Sequence, residues 1–235
     1  MFYNEYCKVD KQGFPKFTLF GTARYKLLPN DIYFLTGEYY LWAYKAAYLN
    51  YHRKLITQVA REEKIPVLLA GVAVSEVGGA PDRLKSMGVL PFRQFIIDTI
   101  TGDNTKSNAT SVGLIAIQLK VAAETIGLSP EKLTITQQNK LATCLLSDSF
   151  NIRIVAQHLR KLILFDNPTI QDTSNLTDEQ IILAGSRYNR GIQRSKNDFL
   201  QSISSPIGSQ NREYSSYGRR ILEKKKSINK IMRTH

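Results

Sequence analysis

The stretch Ile65–Gly79 constrains this chain most, because it is an almost unbroken apolar run that ends in one carboxylate and two glycines. Pro66 suits the first turn of a helix, and Gly78–Gly79 would end one. Apolar side chains fall on every face of such a helix, so we predict that it is buried on all sides. Glu76 continues one apolar stripe at helical spacing. The sequence therefore predicts a buried central helix that ends in a lone carboxylate.

The spacing of apolar residues elsewhere predicts a mostly helical protein. Thr177 and Gln180 form a capping-box pattern, which marks the start of one of these helices. Further helices are expected over Thr36–Glu63, Arg93–Ile100, Gln137–Leu146, Asn151–Phe165 and Ile181–Tyr188.

Strands are expected to be few and short. Phe17–Gly21 and Ile32–Leu35 are predicted as strands, and Ser111–Gln118 as an extended segment that leads into a helix. Ala80–Gly113 is rich in turn-forming residues, and long irregular segments beside a compact core are often functional. The predicted fold is thus mostly α, a helical bundle around the central helix with a small strand region.

The domain organisation is predicted from changes in composition along the chain. We expect an N-terminal extension over residues 1–35, packed on the main body, a main domain over 36–205, and a basic C-terminal tail over 206–235. Cys7 and Cys144 lie far apart in sequence and suggest no disulfide framework. Cys144 is expected to be a small core residue.

The charge is strongly basic, with 32 Lys and Arg against 20 Asp and Glu, a net charge of +12 in 235 residues. Such a chain favours polyanionic partners, which include nucleic acid, anionic lipid and the bacterial cell wall. No apolar run is long enough for a membrane span. The N-terminus lacks the pattern of a Sec signal peptide, so we expect synthesis in the cytoplasm and any export to use another route.

The residues that could carry chemistry are few. The three histidines are scattered, and no metal-binding spacing or phosphate-binding glycine loop occurs, so no metal or cofactor is expected. Burial and the negative end of the helix dipole would both raise the pKa of Glu76. A carboxyl group that stays protonated near neutrality suits general-acid cleavage of a glycosidic bond. The alternative is a structural ion pair between Glu76 and a nearby Arg or Lys.

Three segments in order carry a family resemblance: Ser75-Glu-Val-Gly-Gly79, Ser111-Val-Gly-Leu-Ile-Ala-Ile-Gln118 and Ala184-Gly-Ser-Arg-Tyr-Asn-Arg-Gly191. Together they resemble the lysozyme-like superfamily, with the goose-type lysozymes and lytic transglycosylases as the nearer likeness. In that family a helix ends in the catalytic glutamate, a strand segment lines the cleft, and a later helix ends in a Tyr-Asn pair. The resemblance implies an α+β lysozyme-like fold and cleavage of the β-1,4 bond between N-acetylmuramic acid and N-acetylglucosamine.

The resemblance also implies roles for individual residues. Glu76 matches the general acid, and Tyr188 and Asn189 match the pair that shapes the sugar-binding cleft. Ser111 and Gly113 match the segment on the other side of that cleft.

One position departs from the family pattern. The family's usual glutamine falls at Ala116, and Gln118 follows two positions later. Either Gln118 takes over that polar contact with substrate or the contact is lost.

A second carboxylate would distinguish two reaction types. Inverting hydrolases place theirs about 6.5–9.5 Å from the acid, to leave room for a water. Asp82, Asp98 and Asp103 are candidates in the segment after Glu76, although Asp82 and Asp103 also suit turns. Lytic transglycosylases use one glutamate, so the sequence leaves hydrolysis and transglycosylation open.

The absence of a signal-peptide pattern bears on delivery. The motifs look similar to peptidoglycan-hydrolase effectors of the type VI secretion system, which would act in the periplasm of a target cell and meet a cognate immunity protein. A phage endolysin is the alternative within the same chemistry. A non-catalytic glycan- or nucleic-acid-binding protein is the alternative outside it, although only Tyr214 and Tyr217 accompany the basic residues of the tail.

Overall fold

A computed structural model describes residues 4–10, 13–16, 18–27, 37–65, 68–78 and 88–233 of the chain. This part is mostly helical and contains a small antiparallel sheet of two strands. The prediction of a mostly α protein with a small strand region is therefore confirmed.

The helices and strands are numbered in chain order within the described residues. The first group is α1 Leu19–Leu27, α2 Gly37–Tyr51, α3 Arg53–Glu62, α4 Leu68–Glu76, α5 Leu90–Phe92, a π-helix over Arg93–Ile97, α6 Asp98–Thr101 and α7 Thr105–Asn108. The second group is β1 Ser111–Val112, β2 Ile117–Gln118, α8 Leu119–Thr125, a 3-10 turn over Pro130–Lys132, α9 Ile135–Leu145 and α10 Asp148–Asp166. The third group is α11 Asp178–Arg190, α12 Lys196–Ser204, a 3-10 helix over Gln210–Ser215, α13 Ser216–Glu223 and α14 Lys225–Arg233.

The chain forms two compact units, each assembled from two separate stretches of sequence. The first unit comprises Met1–Tyr51 and Glu76–Val155, and the second comprises His52–Ser75 and Ala156–His235.

Aromatic side chains of α2 pack against Phe14 in the first unit, where Tyr48 is fully buried and Tyr51 is largely exposed. The ring of Phe14 packs edge-on against Tyr44, Tyr48 and Tyr51, with centroid distances of 5.2, 5.4 and 5.5 Å. Edge-to-face pairs at such distances add to the free energy gained by burial. These ring contacts anchor the chain near its N-terminus to α2.

The N-terminal segment is also fixed covalently. Cys7 and Cys144 form a disulfide, which corrects the expectation that their distance in sequence argued against one. Nearby, the Asp148 carboxylate accepts a hydrogen bond from the Phe14 N–H at 2.7 Å and pairs with Lys16 at 3.3 Å. The prediction failed because separation along the chain carries no information about distance in the fold.

Helix α1 replaces a predicted strand. The N–H of Gly21 donates to the Thr18 hydroxyl at 3.0 Å, a bond that stabilises the start of a helix. A short apolar run such as Phe17–Gly21 does not distinguish helix from strand by its spacing, and here the local cap favours helix. The other predicted strand, Ile32–Leu35, lies outside the described residues.

The second unit is built on close contacts between α4, α11 and α13. Ile221 of α13 packs on Gly71 of α4 and on Gly185 of α11. Gly218 lies so close to the Ile182 carbonyl that a Cβ there would overlap it, so only glycine fits. Residues beyond Pro206, predicted as a basic tail, thus contribute buried side chains to this unit.

No helix among the described residues is long and apolar enough to cross a membrane.

Candidate functional site

Glu76 is the last residue of the buried helix α4. Every residue from Leu68 to Val74 is buried, as the apolar run on all faces predicted. Ser75 and Glu76 are partly exposed, and the Ser75 hydroxyl donates to the Gly71 carbonyl at 2.9 Å. The helix therefore holds one carboxyl-bearing side chain at the limit of the core, where it is partly exposed to solvent.

The strands β1 and β2 form a short hairpin in the first unit, the unit that also contains Glu76. Ser111 pairs with Gln118, and Val112 pairs with Ile117. Paired residues on adjacent strands project to the same face of a sheet. Val112 and Ile117 are buried, whereas Ser111 and Gln118 are partly exposed, so the two predicted substrate contacts lie side by side.

The loop of this hairpin is locked by Gly113 and Asn151. Gly113 has a φ of +92°, and a Cβ there would lie 2.8 Å from the Leu145 carbonyl oxygen, so a larger residue does not fit. The Asn151 amide accepts a bond from the Ile115 N–H and donates one to the Ile115 carbonyl, both at 3.0 Å. Asn151 is fully buried in α10, so one side chain fixes the hairpin to that helix.

Replacing Asn151 by alanine should destabilise the hairpin. The buried N–H and C=O of Ile115 would both lose their partner, and each orphaned group costs about 1–3 kcal/mol. We expect a loss of about 2–4 kcal/mol in the free energy of unfolding, measured by chemical denaturation.

Asn139→Ala, at an exposed position of α9, is the matched control and should change the free energy of unfolding by less than about 0.5 kcal/mol. If Asn151→Ala unfolds at the same denaturant concentration as the wild type, this side chain does not hold the hairpin.

Two of the three candidates for a second carboxylate already accept hydrogen bonds from nearby backbone N–H groups. Both oxygens of Asp98 accept the Ser107 N–H at 3.3 Å. Asp103 is exposed and accepts the Thr105 N–H at 2.8 Å, and this backbone bond is the main cause that lowers the pKa of its carboxyl. Both side chains stabilise turns before the hairpin. Asp82 lies outside the described residues.

Tyr188 and Asn189 belong to the second unit, near the end of α11. Tyr188 is half-buried, with its ring 5.9 Å from the His158 ring and 6.4 Å from the stacked Tyr217 ring, whereas Asn189 is exposed. Burial is the main cause that lowers the pKa of His158 to about 4. The imidazole is therefore uncharged near neutrality and packs as an aromatic ring against Tyr188.

Arg187, next to Tyr188, is a residue whose importance the sequence analysis missed. Its guanidinium makes two parallel bonds to the Asp166 carboxylate, from Nε at 2.8 Å and from Nη2 at 2.7 Å. Nη1 donates to the carbonyls of Ile192 and Arg194 at 3.1 and 2.6 Å. Arg187 follows Leu183 by four residues, and this spacing was a signal that it lies on the buried face of α11.

No group of three or more His, Cys, Asp or Glu side chains in the described part of the chain is arranged to hold a metal ion. No model of a known protein family matches the chain. No curated protein is significantly similar to it.

Proposed function

We propose that this protein is a peptidoglycan glycosidase that cleaves the β-1,4 bond between N-acetylmuramic acid and N-acetylglucosamine, with Glu76 as general acid. The observation that carries the proposal is the partly exposed carboxyl at the end of helix α4, whose residues from Leu68 to Val74 are all buried. The hairpin with Ser111 and Gln118 belongs to the same unit and offers hydroxyl and amide groups suited to sugar recognition. The proposed fold is the lysozyme-like one.

In the proposed reaction, Glu76 gives its proton to the glycosidic oxygen while the bond from that oxygen to C1 breaks. The leaving sugar departs as an alcohol, and positive charge develops at C1. Water or the 6-hydroxyl of the same sugar then bonds to C1, and its proton returns to Glu76. Water gives a reducing end, whereas the 6-hydroxyl closes a 1,6-anhydro ring.

Because Asp98 and Asp103 already accept backbone hydrogen bonds, we favour a reaction mechanism that needs only one carboxylate. Their oxygens already accept backbone N–H groups, so they serve turns rather than a water nucleophile. The sugar's own N-acetyl group would then assist at C1, as in lytic transglycosylases. Asp82 remains the candidate for a water-activating base.

The proposed place of action is the periplasm of a target cell. The Cys7–Cys144 disulfide supports this, because structural disulfides persist in oxidising compartments and are rare in the reducing cytoplasm. Delivery by a type VI secretion system fits a wall-cleaving toxin, and an immunity protein would then cover the cleft. A phage endolysin is the alternative means of delivery for the same chemistry.

Mass spectrometry of soluble products from purified sacculi tests this function. We expect disaccharide-peptide fragments, with 1,6-anhydro ends if Glu76 acts alone and reducing ends if a water is activated. Both are glycosidase products. Peptides released from intact glycan strands would contradict the proposal, and so would the absence of any soluble fragment.

A further inference from the structure

The positive charge of this protein is concentrated in its second unit. In sequence, that unit holds 18 Lys and Arg against 9 Asp and Glu, whereas the first unit holds 14 against 11. Nine of the twelve net positive charges therefore belong to the second unit. The hairpin and Glu76 belong to the first unit.

A groove in this unit joins α3 to α14 and has a volume of about 470 Å³. Arg53, Lys54 and Arg61 line it from one face of α3, and Met232 lines it from α14. Glu62 is the one acidic residue among the described lining residues, and it accepts a hydrogen bond from Gln58 at 2.7 Å.

A second concavity, of about 530 Å³, lies on α14 itself. Its lining is Lys226, Asn229, Lys230 and Arg233, with no acidic residue among these described side chains. These positions are three or four residues apart and so form one stripe along the helix. On the opposite side, Ile228 is buried and fixes α14 to its unit. The three cations are exposed, so the stripe faces solvent.

The six cations Arg53, Lys54, Arg61, Lys226, Lys230 and Arg233 are called here the basic surface. None of the described side chains that line its two concavities is aromatic, although single-stranded nucleic acid is usually held by stacking on aromatic rings. Met232 is its one large apolar side chain, too little for insertion into a lipid surface. A flexible hydrophilic polymer with repeated anionic groups fits this composition better.

We propose that the basic surface binds a linear anionic polymer attached to the cell wall, through its repeated phosphodiester groups. The choice of a wall polymer as the source of these groups rests on the proposed function. Binding through these cations would retain the enzyme on the wall while Glu76 acts on the glycan strand.

The test is co-sedimentation of the full chain with purified sacculi, with Glu76→Gln as background so that the wall stays intact. The surface variant is Lys226→Gln/Lys230→Gln/Arg233→Gln. The matched control, Lys26→Gln/Lys106→Gln/Lys132→Gln, removes the same charge from exposed positions of the first unit. Each protein is measured at several salt concentrations. The sacculi are used with their phosphodiester polymers attached and after chemical removal of these polymers.

The surface variant should bind the polymer-bearing wall about tenfold or more weakly than the control at 100 mM salt. Its plot of log affinity against log salt should be shallower by about 2, because each lost ion contact removes about 0.7 from the slope. A loss confined to polymer-bearing sacculi supports the proposal. An equal loss on stripped sacculi would overturn it, because the cations would then bind the peptidoglycan itself rather than an attached polymer.

Equal binding by the surface variant and the control would overturn it. Tighter binding of the wild type to duplex DNA or to anionic vesicles than to the wall would also overturn it. Failure here is distinct from failure of the proposed function. With Glu76 intact, the surface variant should release products from stripped sacculi at the wild-type rate if phosphodiesters are the partner. Conversely, loss of the Glu76 assignment would leave the binding result unchanged.

Discussion

Replacing Glu76 by glutamine should lower the rate of product release from sacculi by about 10³-fold, within the range that general acids contribute. Glutamine keeps the size of the side chain and its hydrogen-bonding oxygen, but it has no proton to give to the leaving oxygen. The measurement is the initial rate of turbidity loss, followed by mass spectrometry of the released fragments. We expect kcat to carry the loss, because the proton transfer belongs to the transition state.

The control for this variant is Glu131→Gln, which makes the same chemical change at an exposed turn of the first unit. It should keep the wild-type rate. Because Glu76 is partly exposed at the end of its helix, its replacement should leave the midpoint of thermal unfolding within about 2 °C of the wild type. Wild-type activity in a folded Glu76→Gln protein would show that another group gives the proton.

The parts of this fold that the sequence predicted are those set by local rules. Helix α4 follows from apolar residues on every face, and the capping box of Thr177 and Gln180 forms as expected, with bonds of 3.2 and 2.9 Å. A second capping box, at Thr134 and Gln137, marks the true start of α9, which the apolar spacing alone placed too late. Local sequence patterns thus predict where helices form, and capping residues predict their first residues better than the spacing of apolar residues does.

Long-range pairings account for what the sequence did not predict. The Cys7–Cys144 disulfide and the hydrogen bonds between Asn151 and Ile115 each join residues far apart in the chain. The local sequence around any of these residues does not indicate which distant residue it will contact. The candidate site shows the same division. Ser111 and Gln118 were predicted as site residues one by one, yet their pairing across the hairpin depends on strand register, which the sequence did not define.

Replacing Asp166 by asparagine should cost about 3–5 kcal/mol of the free energy of unfolding, because it would leave the Arg187 guanidinium buried without its counter-charge. Arg187 is 1% exposed and Asp166 is 6% exposed, so water cannot replace the lost carboxylate. The guanidinium also lies 5.0 Å from the ring centroids of both Phe165 and Phe199, which fixes it in place. A drop of about 10 °C in the midpoint of thermal unfolding is expected by calorimetry.

The matched control is Asp198→Asn. Asp198 pairs with Arg194 at 3.9 Å. The side chain of Asp198 is 45% exposed and that of Arg194 is 35% exposed. A pair of this kind contributes about 0.5 kcal/mol or less, so the control should unfold within about 2 °C of the wild type. The same chemical change thus separates a buried ion pair from an exposed one in the same unit.

The double variant Asp166→Asn/Arg187→Gln tests the cause of the loss. Removing the second charge should restore part of the lost stability, because the cost in the single variant comes from an unpaired buried cation. The contrary result is a double variant that is less stable than Asp166→Asn. The bonds from Arg187 to the carbonyls of Ile192 and Arg194, rather than the ion pair with Asp166, would then stabilise the end of α11. The helix end that carries Tyr188 and Asn189 would then depend on the carbonyl contacts of one arginine rather than on its carboxylate partner.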